Sequence, residues 1–223
     1  MYKVLSKVLV NRLHGVLGSV ISDSQSAFVK GKQILDGILI ANKAVDEAKR
    51  MNKELLMFNV DFEKAYDSVD LWYLDFVMKN MNFPTLWRKW ISECVGTEKA
   101  PVLVNGCPTD EFMIERSLRQ GDPLSLLLFL LAAEGFNILM NVVVEAQLFR
   151  GYGVGRYEEV GLTHLQFADD TLIIGEKSWR NVRSMHVVLL LFEEISGLKV
   201  NFHKSILTGV NVNETWLVEG RWL

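Results

Sequence analysis

Phe167-Ala168-Asp169-Asp170 stands between two apolar runs, residues 162–167 and 171–174, so two adjacent carboxylates are expected at the tip of a β-hairpin. A third acid, Asp61, ends the strand-like run Leu55-Leu56-Met57-Phe58-Asn59-Val60, where a charge inside a buried strand would be costly. Carboxylates delivered from separate strand ends are hard oxygen donors, and three of them point to Mg²⁺-dependent chemistry on phosphates. Asp also favours turns and strand ends for local reasons, so no single one of these residues carries the reading.

The pattern around them is mixed. Apolar residues recur at helical spacing at Val4, Leu5, Val8, Leu9, Leu13, Val16 and Leu17, and again at Ile34, Leu35, Ile38, Ala41, Val45 and Ala48. The polar segment 22–31 between them predicts a loop or short hairpin. Residues 55–62 predict a strand, 70–81 a helix, and Pro84 the start of a short helix through Trp87 and Ile91. Asn105-Gly106 predicts a tight turn after a strand beginning at Val102, with an antiparallel return over 111–115. Gly121-Asp122-Pro123 opens a long apolar helix from 124 to about 147. Ser178 is an N-cap candidate for a helix that ends near Gly197. With no repeat or linker, the expectation is an α+β body around a mostly antiparallel sheet packed on helices.

Composition narrows the setting. The chain has 223 residues, 49% of them hydrophobic, which is enough for a sizeable core. Cys94 and Cys107 form no CxxC spacing, which suits a reducing compartment: intracellular, in nucleus or cytoplasm, and not secreted. No signal-peptide pattern opens the chain, and Glu134 and Asn137 interrupt the most apolar stretch before about 18 uncharged residues accumulate, so no membrane partner is expected. The four histidines form no metal-spaced cluster, and zinc is not expected. Net charge is −3, but residues 1–53 hold nine Lys/Arg against four acids, which makes that segment +5 and the remainder −8. A basic front and an acidic body fit a polyanion on one part and metal ions on the other, although a solvated basic helix face accounts for the charge equally well.

Three stretches, Asp61-Phe62-Glu63-Lys64-Ala65-Tyr66-Asp67, Leu118-Arg119-Gln120-Gly121-Asp122-Pro123-Leu124-Ser125 and Phe167-Ala168-Asp169-Asp170, resemble successive polymerase motifs of reverse transcriptases, in order and spacing. Gln25-Ser26-Ala27-Phe28-Val29-Lys30-Gly31-Lys32-Gln33-Ile34 and the run Ser196 to Ser205 further resemble motifs of non-LTR (LINE-type) retrotransposon enzymes, especially plant ones. The resemblance covers nearly the whole chain. It implies a right-hand polymerase palm with partial fingers: residues 1–54 fingers, 55–210 palm, 211–223 a truncated tail. It implies an RNA-directed DNA polymerase that adds dNTPs to a DNA primer on an RNA template.

Carried over by position, Asp61, Asp169 and Asp170 become the catalytic acids. With the Phe62 carbonyl they would ligate two Mg²⁺ ions, with Mn²⁺ as an alternative. Tyr66 matches a gate that excludes a 2′-hydroxyl. Arg119, Gln120 and Gly121 match the nucleotide-contacting motif, and Lys204 a lysine that protonates or steadies the leaving pyrophosphate. Lys30 and Lys32 would contact nucleic-acid phosphates. Outside the resemblance, Tyr66 reads equally as a core aromatic, Gly-Asp-Pro as a plain helix start and Lys204 as a solvated lysine.

The chain departs from the family pattern in places. Ser117 stands where glycine is frequent and Leu126 where proline is common. An upstream fingers segment with an arginine, the primer grip and the thumb are not recognised. The expectation is therefore a fragment, with a catalytically silent relic that keeps RNA or protein binding as the alternative and an intron maturase as a further one. The oligomeric state is not legible.

Overall fold

The computed structural model describes residues 2–96, 99–100, 103–104, 107–108, 112–113, 116–155 and 160–220. Helices α1 (Tyr2–Val20) and α2 (Ile34–Met51) precede strand β1 (Leu55–Val60) and helices α3 (Ala65–Ser68), α4 (Leu71–Asn80) and α5 (Thr85–Gly96). Four short strands, β2 (Lys99–Ala100), β3 (Leu103–Val104), β4 (Cys107–Pro108) and β5 (Phe112–Met113), lead to the long helix α6 (Pro123–Glu145). β6 (Tyr152–Val154), β7 (Val160–Leu162), β8 (His164–Phe167), β9 (Asp170–Glu176), α7 (Trp179–Ser196), β10 (Ile206–Val210) and α8 (Glu214–Gly220) follow.

The main sheet has the order β10-β1-β9-β8 with every neighbouring pair antiparallel, as the sequence predicts. Alternation along β1 and β9 gives each sheet face its own core. Leu56 and Ile173 join a large cluster with Leu9, Leu13 and Leu17 of α1, Leu74 of α4, Phe129 and Phe136 of α6 and Phe192 of α7. Leu55 and Ile174 join a smaller cluster with Ala44, Ala48 and Tyr152. Residues 1–54 therefore share cores with the sheet.

Helix α6 is buried without interruption from Leu127 to Asn137. By length and composition it could cross a membrane, yet 61% of its apolar window is buried inside the molecule, the pattern of a core helix. Asp122 caps it, accepting from the Leu124 N–H at 3.1 Å, and Pro123 sits where its missing N–H costs nothing. Ser178 caps α7 through the Asn181 N–H at 3.0 Å, and Gly197, at φ 77°, closes it.

Two helix faces and the pairing of one hairpin differ from expectation, while segment 22–31 is a loop as expected. Only Leu9, Leu13 and Leu17 of the predicted α1 face are fully buried, while Val4, Leu5, Val8 and Val16 are exposed. In α2 the inward face is Ala44 and Ala48, small enough for close approach to the sheet, and Ile34, Leu35 and Ile38 face outward. Segment 22–31 is a loop that makes one parallel bridge, Gln25 to Gln166, at the β8 edge. The Asn105-Gly106 turn lies outside the described residues. The return over 111–115 takes a nested form, with β4 pairing β3 and β5 pairing β2.

Candidate active site

Sheet register brings the three acids to one rim. Val60 faces Thr171 across β1 and β9, so Asp61 and Asp170, each one residue nearer the rim, continue the same antiparallel register. Phe167 pairs with Asp170, which leaves Ala168 and Asp169 as a two-residue turn. Ala168 is buried there at φ 54°, a left-handed conformation that glycine usually supplies and that costs a residue with a Cβ roughly 1–3 kcal/mol.

The Asp170 carboxyl is pushed above its ordinary range by burial first, then by the charges of Asp169 and Asp61, so the three acids sense one another. Among the described residues no three His, Cys, Asp or Glu side chains stand close enough together to form a ready-made metal cage. Mutual repulsion favours like-charged side chains turned apart. An all-oxygen, anionic donor set on the ends of paired strands is nonetheless the chemistry that suits a hard divalent cation.

The backbone of Asp61 is held from both sides. Its N–H donates to Ser205 Oγ at 3.0 Å, its carbonyl accepts from the Asn201 N–H at 2.8 Å, and Ser205 Oγ donates to the Asn201 carbonyl at 2.9 Å. Glu63 N–H donates to the Lys199 carbonyl at 2.8 Å, so hydrogen bonds flank the bridged pair Phe62 and Val200. In such a pair the Phe62 carbonyl is directed away from Val200, toward the β9 side.

The Tyr66 ring lies 4.7 Å from that of Phe129, and its hydroxyl is raised above the ordinary tyrosine pKa by burial and then by the Asp169 charge. The Tyr66 carbonyl accepts from the Leu118 N–H at 2.7 Å, which ties two of the motif-bearing segments together. Gln120 Nε2 donates to both Asp67 oxygens, at 3.3 and 3.2 Å. Gly121 adopts φ 81°, a turn that needs glycine.

Two cavities divide the remaining candidates. Asp61 and Lys204 line a polar cavity of about 730 Å³ together with Lys64, Arg116 and Lys199, whereas Asp169 and Asp170 do not line it. Arg119, Gln120 and Gly121 line a separate cavity of about 560 Å³ with Lys7 and Asn11 of α1. Lys30 is exposed. Lys32 is engaged within its own loop, donating to the carbonyls of Ser22 at 2.8 Å and Gln25 at 3.2 Å and pairing with Asp23 at 3.0 Å. Sequence reasoning assigned no role to Lys64, Arg116 and Lys199, because lysine and arginine in polar stretches carry no periodic signal.

A family model described as reverse transcriptase (RNA-dependent DNA polymerase) matches residues 1–214. The transposon TX1 uncharacterized 149 kDa protein of Xenopus laevis is 32% identical over 140 residues, 63% of this chain and 11% of that protein. The Pol polyprotein of the type-1 retrotransposable element R2 of Nasonia vitripennis is 28% identical over 177 residues, 76% of this chain and 16% of that protein. The chain thus spans a small part of these relatives' length. Among solved structures, apo telomerase from Candida tropicalis truncated from its C-terminal domain superposes with a TM-score of 0.62 at 14% identity, covering 94% of this chain and 41% of that one. Telomerase from Candida albicans in complex with a fragment of telomeric RNA gives 0.62 at 12% identity, covering 95% and 35%. These superpositions show the polymerase fold.

Proposed function

Because the chain belongs to the reverse transcriptase (RNA-dependent DNA polymerase) family, we propose that it is the palm, with part of the fingers, of a LINE-type retrotransposon polymerase that extends a DNA primer along an RNA template. The observation that carries this is the convergence of Asp61 with Asp169 and Asp170 at one sheet rim, with the Tyr66 hydroxyl within reach of the Asp169 charge.

Asp61, Asp169, Asp170 and the Phe62 carbonyl would hold two Mg²⁺ ions, or Mn²⁺ in their place. Such ions supply Lewis-acid stabilisation of the attacking and leaving oxygens when bound. In the reaction the primer 3′-hydroxyl loses its proton to water, its oxygen bonds to the dNTP α-phosphorus, and the bond to pyrophosphate breaks. Lys204, on the Asp61 cavity, donates a proton to the leaving pyrophosphate and recovers one from water. Lys64, Arg116 and Lys199 line the same cavity beside Glu63, Asp67, Glu193 and Glu194, so its cations stand among carboxylates, with Lys199 paired to Glu63 at 3.8 Å and Arg116 to Asp70 at 3.8 Å. Tyr66, braced on Phe129, fills the space a ribose 2′-hydroxyl would need. Gln120, anchored on Asp67, and Gly121 bring backbone close to the nucleotide, with Arg119 beside them. Lys30 meets template phosphate as a point charge, and Lys32 acts through the loop it closes.

Residues 1–54 serve as the fingers portion, 55–210 as the palm and 211–223 as the tail, in an intracellular protein. Extension of a primer annealed to an RNA template, compared with the Asp169→Ala, Asp170→Ala double variant, tests the reading. Mg²⁺-dependent extension that the double variant loses is expected. A folded chain that binds RNA without extending the primer would favour the silent-relic alternative.

A further inference from the structure

Gln25 belongs to the loop between α1 and α2, yet it is wholly buried, at 0% exposure, more than a hundred positions from the turn it touches. Its Oε1 accepts from the Ala168 N–H at 3.0 Å and from the Ala27 N–H at 3.0 Å, and its Nε2 donates to the Ala168 carbonyl at 3.4 Å. One amide thus satisfies both backbone groups of the turn residue held at φ 54°. The surrounding backbone reinforces it: Ser26 N–H donates to the Gln166 carbonyl at 3.0 Å, and Gln166 N–H to the Ser24 carbonyl at 2.8 Å. Lys32 closes the loop from behind through the Gln25 carbonyl.

We propose that Gln25 is a positioning residue for the metal-binding turn: its amide clamps Ala168 and so fixes where the neighbouring Asp169 carboxylate is presented. The inference rests on the proposed metal site. The physical need is plain. A strained two-residue turn relaxes unless its surroundings over-determine it, and a ligand that drifts by a fraction of an ångström loses metal affinity. The loop also makes the clamp conditional. A rearrangement of segment 22–31 reaches the turn through the Gln25 side chain and through the backbone hydrogen bonds of Ser24 and Ser26 to Gln166.

The test uses Gln25→Met, which keeps the volume and removes both hydrogen-bonding functions, and Gln25→Glu, which keeps an acceptor for the two N–H groups. Two quantities are read on the full chain: amide hydrogen exchange at Ala168 and Mn²⁺ binding followed by the loss of the free-ion EPR signal. Expected in Gln25→Met are exchange at Ala168 faster by about tenfold or more and Mn²⁺ affinity weaker by about 10–100-fold, with the α6 and β1 amides still protected. Gln25→Glu should lie closer to the unmodified chain in both. Should Gln25→Met fail to fold, Gln25→Asn, whose amide is drawn back by one methylene, is read in the same way.

A folded Gln25→Met chain whose Mn²⁺ affinity stays within about twofold of the unmodified value, while Asp169→Asn abolishes binding, overturns the clamp and leaves the metal site standing. Mn²⁺ binding that is indifferent to Asp169→Asn takes away the metal site itself, and the clamp falls with it.

Discussion

At the scale of single residues the chain combines strain with careful polar pairing. His164 is the clearest pH-sensitive group: it is buried, its Nδ1 lies 3.0 Å from Thr163 Oγ1, its Nε2 has no hydrogen-bond partner, and Phe136 stands edge-on at 5.5 Å. Burial lowers its pKa from 6.5 to about 4. Between those values the unfolded chain binds more protons than the folded one, so the stabilising effect is complete above pH 6.5 and is lost as pH falls toward 4. By linkage the loss approaches about 3 kcal/mol. Urea unfolding of His164→Gln should show a shallower fall in stability across that window than the unmodified chain. A second expectation concerns Tyr66: in Tyr66→Ala, discrimination between dNTP and NTP should drop by about 10–100-fold, measured as the ratio of kcat/KM values in primer extension.

Asp122 both caps α6 and accepts from Ser6 Oγ at 3.0 Å, so it joins the core helix to α1. Asp122→Ala should destabilise the protein by about 1–2 kcal/mol in urea unfolding, and adding Ser6→Ala to it should cost little more, because the partner is already gone. Gly175 is another junction: a Cβ there would meet Phe149 at 2.8 Å and the Arg150 carbonyl at 2.9 Å. Gly175→Ala should therefore lose about 1–3 kcal/mol by overpacking β9 against the 149–150 turn.

Strands β1, β8 and β9, helices α4 to α7 and the caps Ser178 and Gly197 were legible because apolar runs and local capping chemistry act over a few residues. The orientation of α1 and α2 was not. Ile34, Leu35 and Ile38 are apolar at helical spacing, yet packing selected the Ala44 and Ala48 face because small side chains let the helix approach the sheet. Of the site, the acids were visible as misfits at strand ends. Gln25 was not, because a loop glutamine looks solvated until the fold buries it.

For the whole molecule, the sheet is the device that assembles chemistry from distant sequence. Asp61 reaches the rim on β1, its backbone held by Asn201 and Ser205, while Asp169 arrives on a turn held by Gln25. A cavity lined by both carboxylates and cations opens on the Asp61 side and a second cavity on the Arg119 side. Asp61, Asp169 and Asp170 are expected to bind divalent metal together. Anomalous diffraction at the manganese edge, from crystals grown with Mn²⁺, primer, RNA template and a dNTP, decides this. Manganese peaks are expected within coordination distance of Asp61 and Asp169, with Asp170 adjoining. Manganese ordered elsewhere, with these carboxylates left metal-free beside a bound nucleotide, would contradict it.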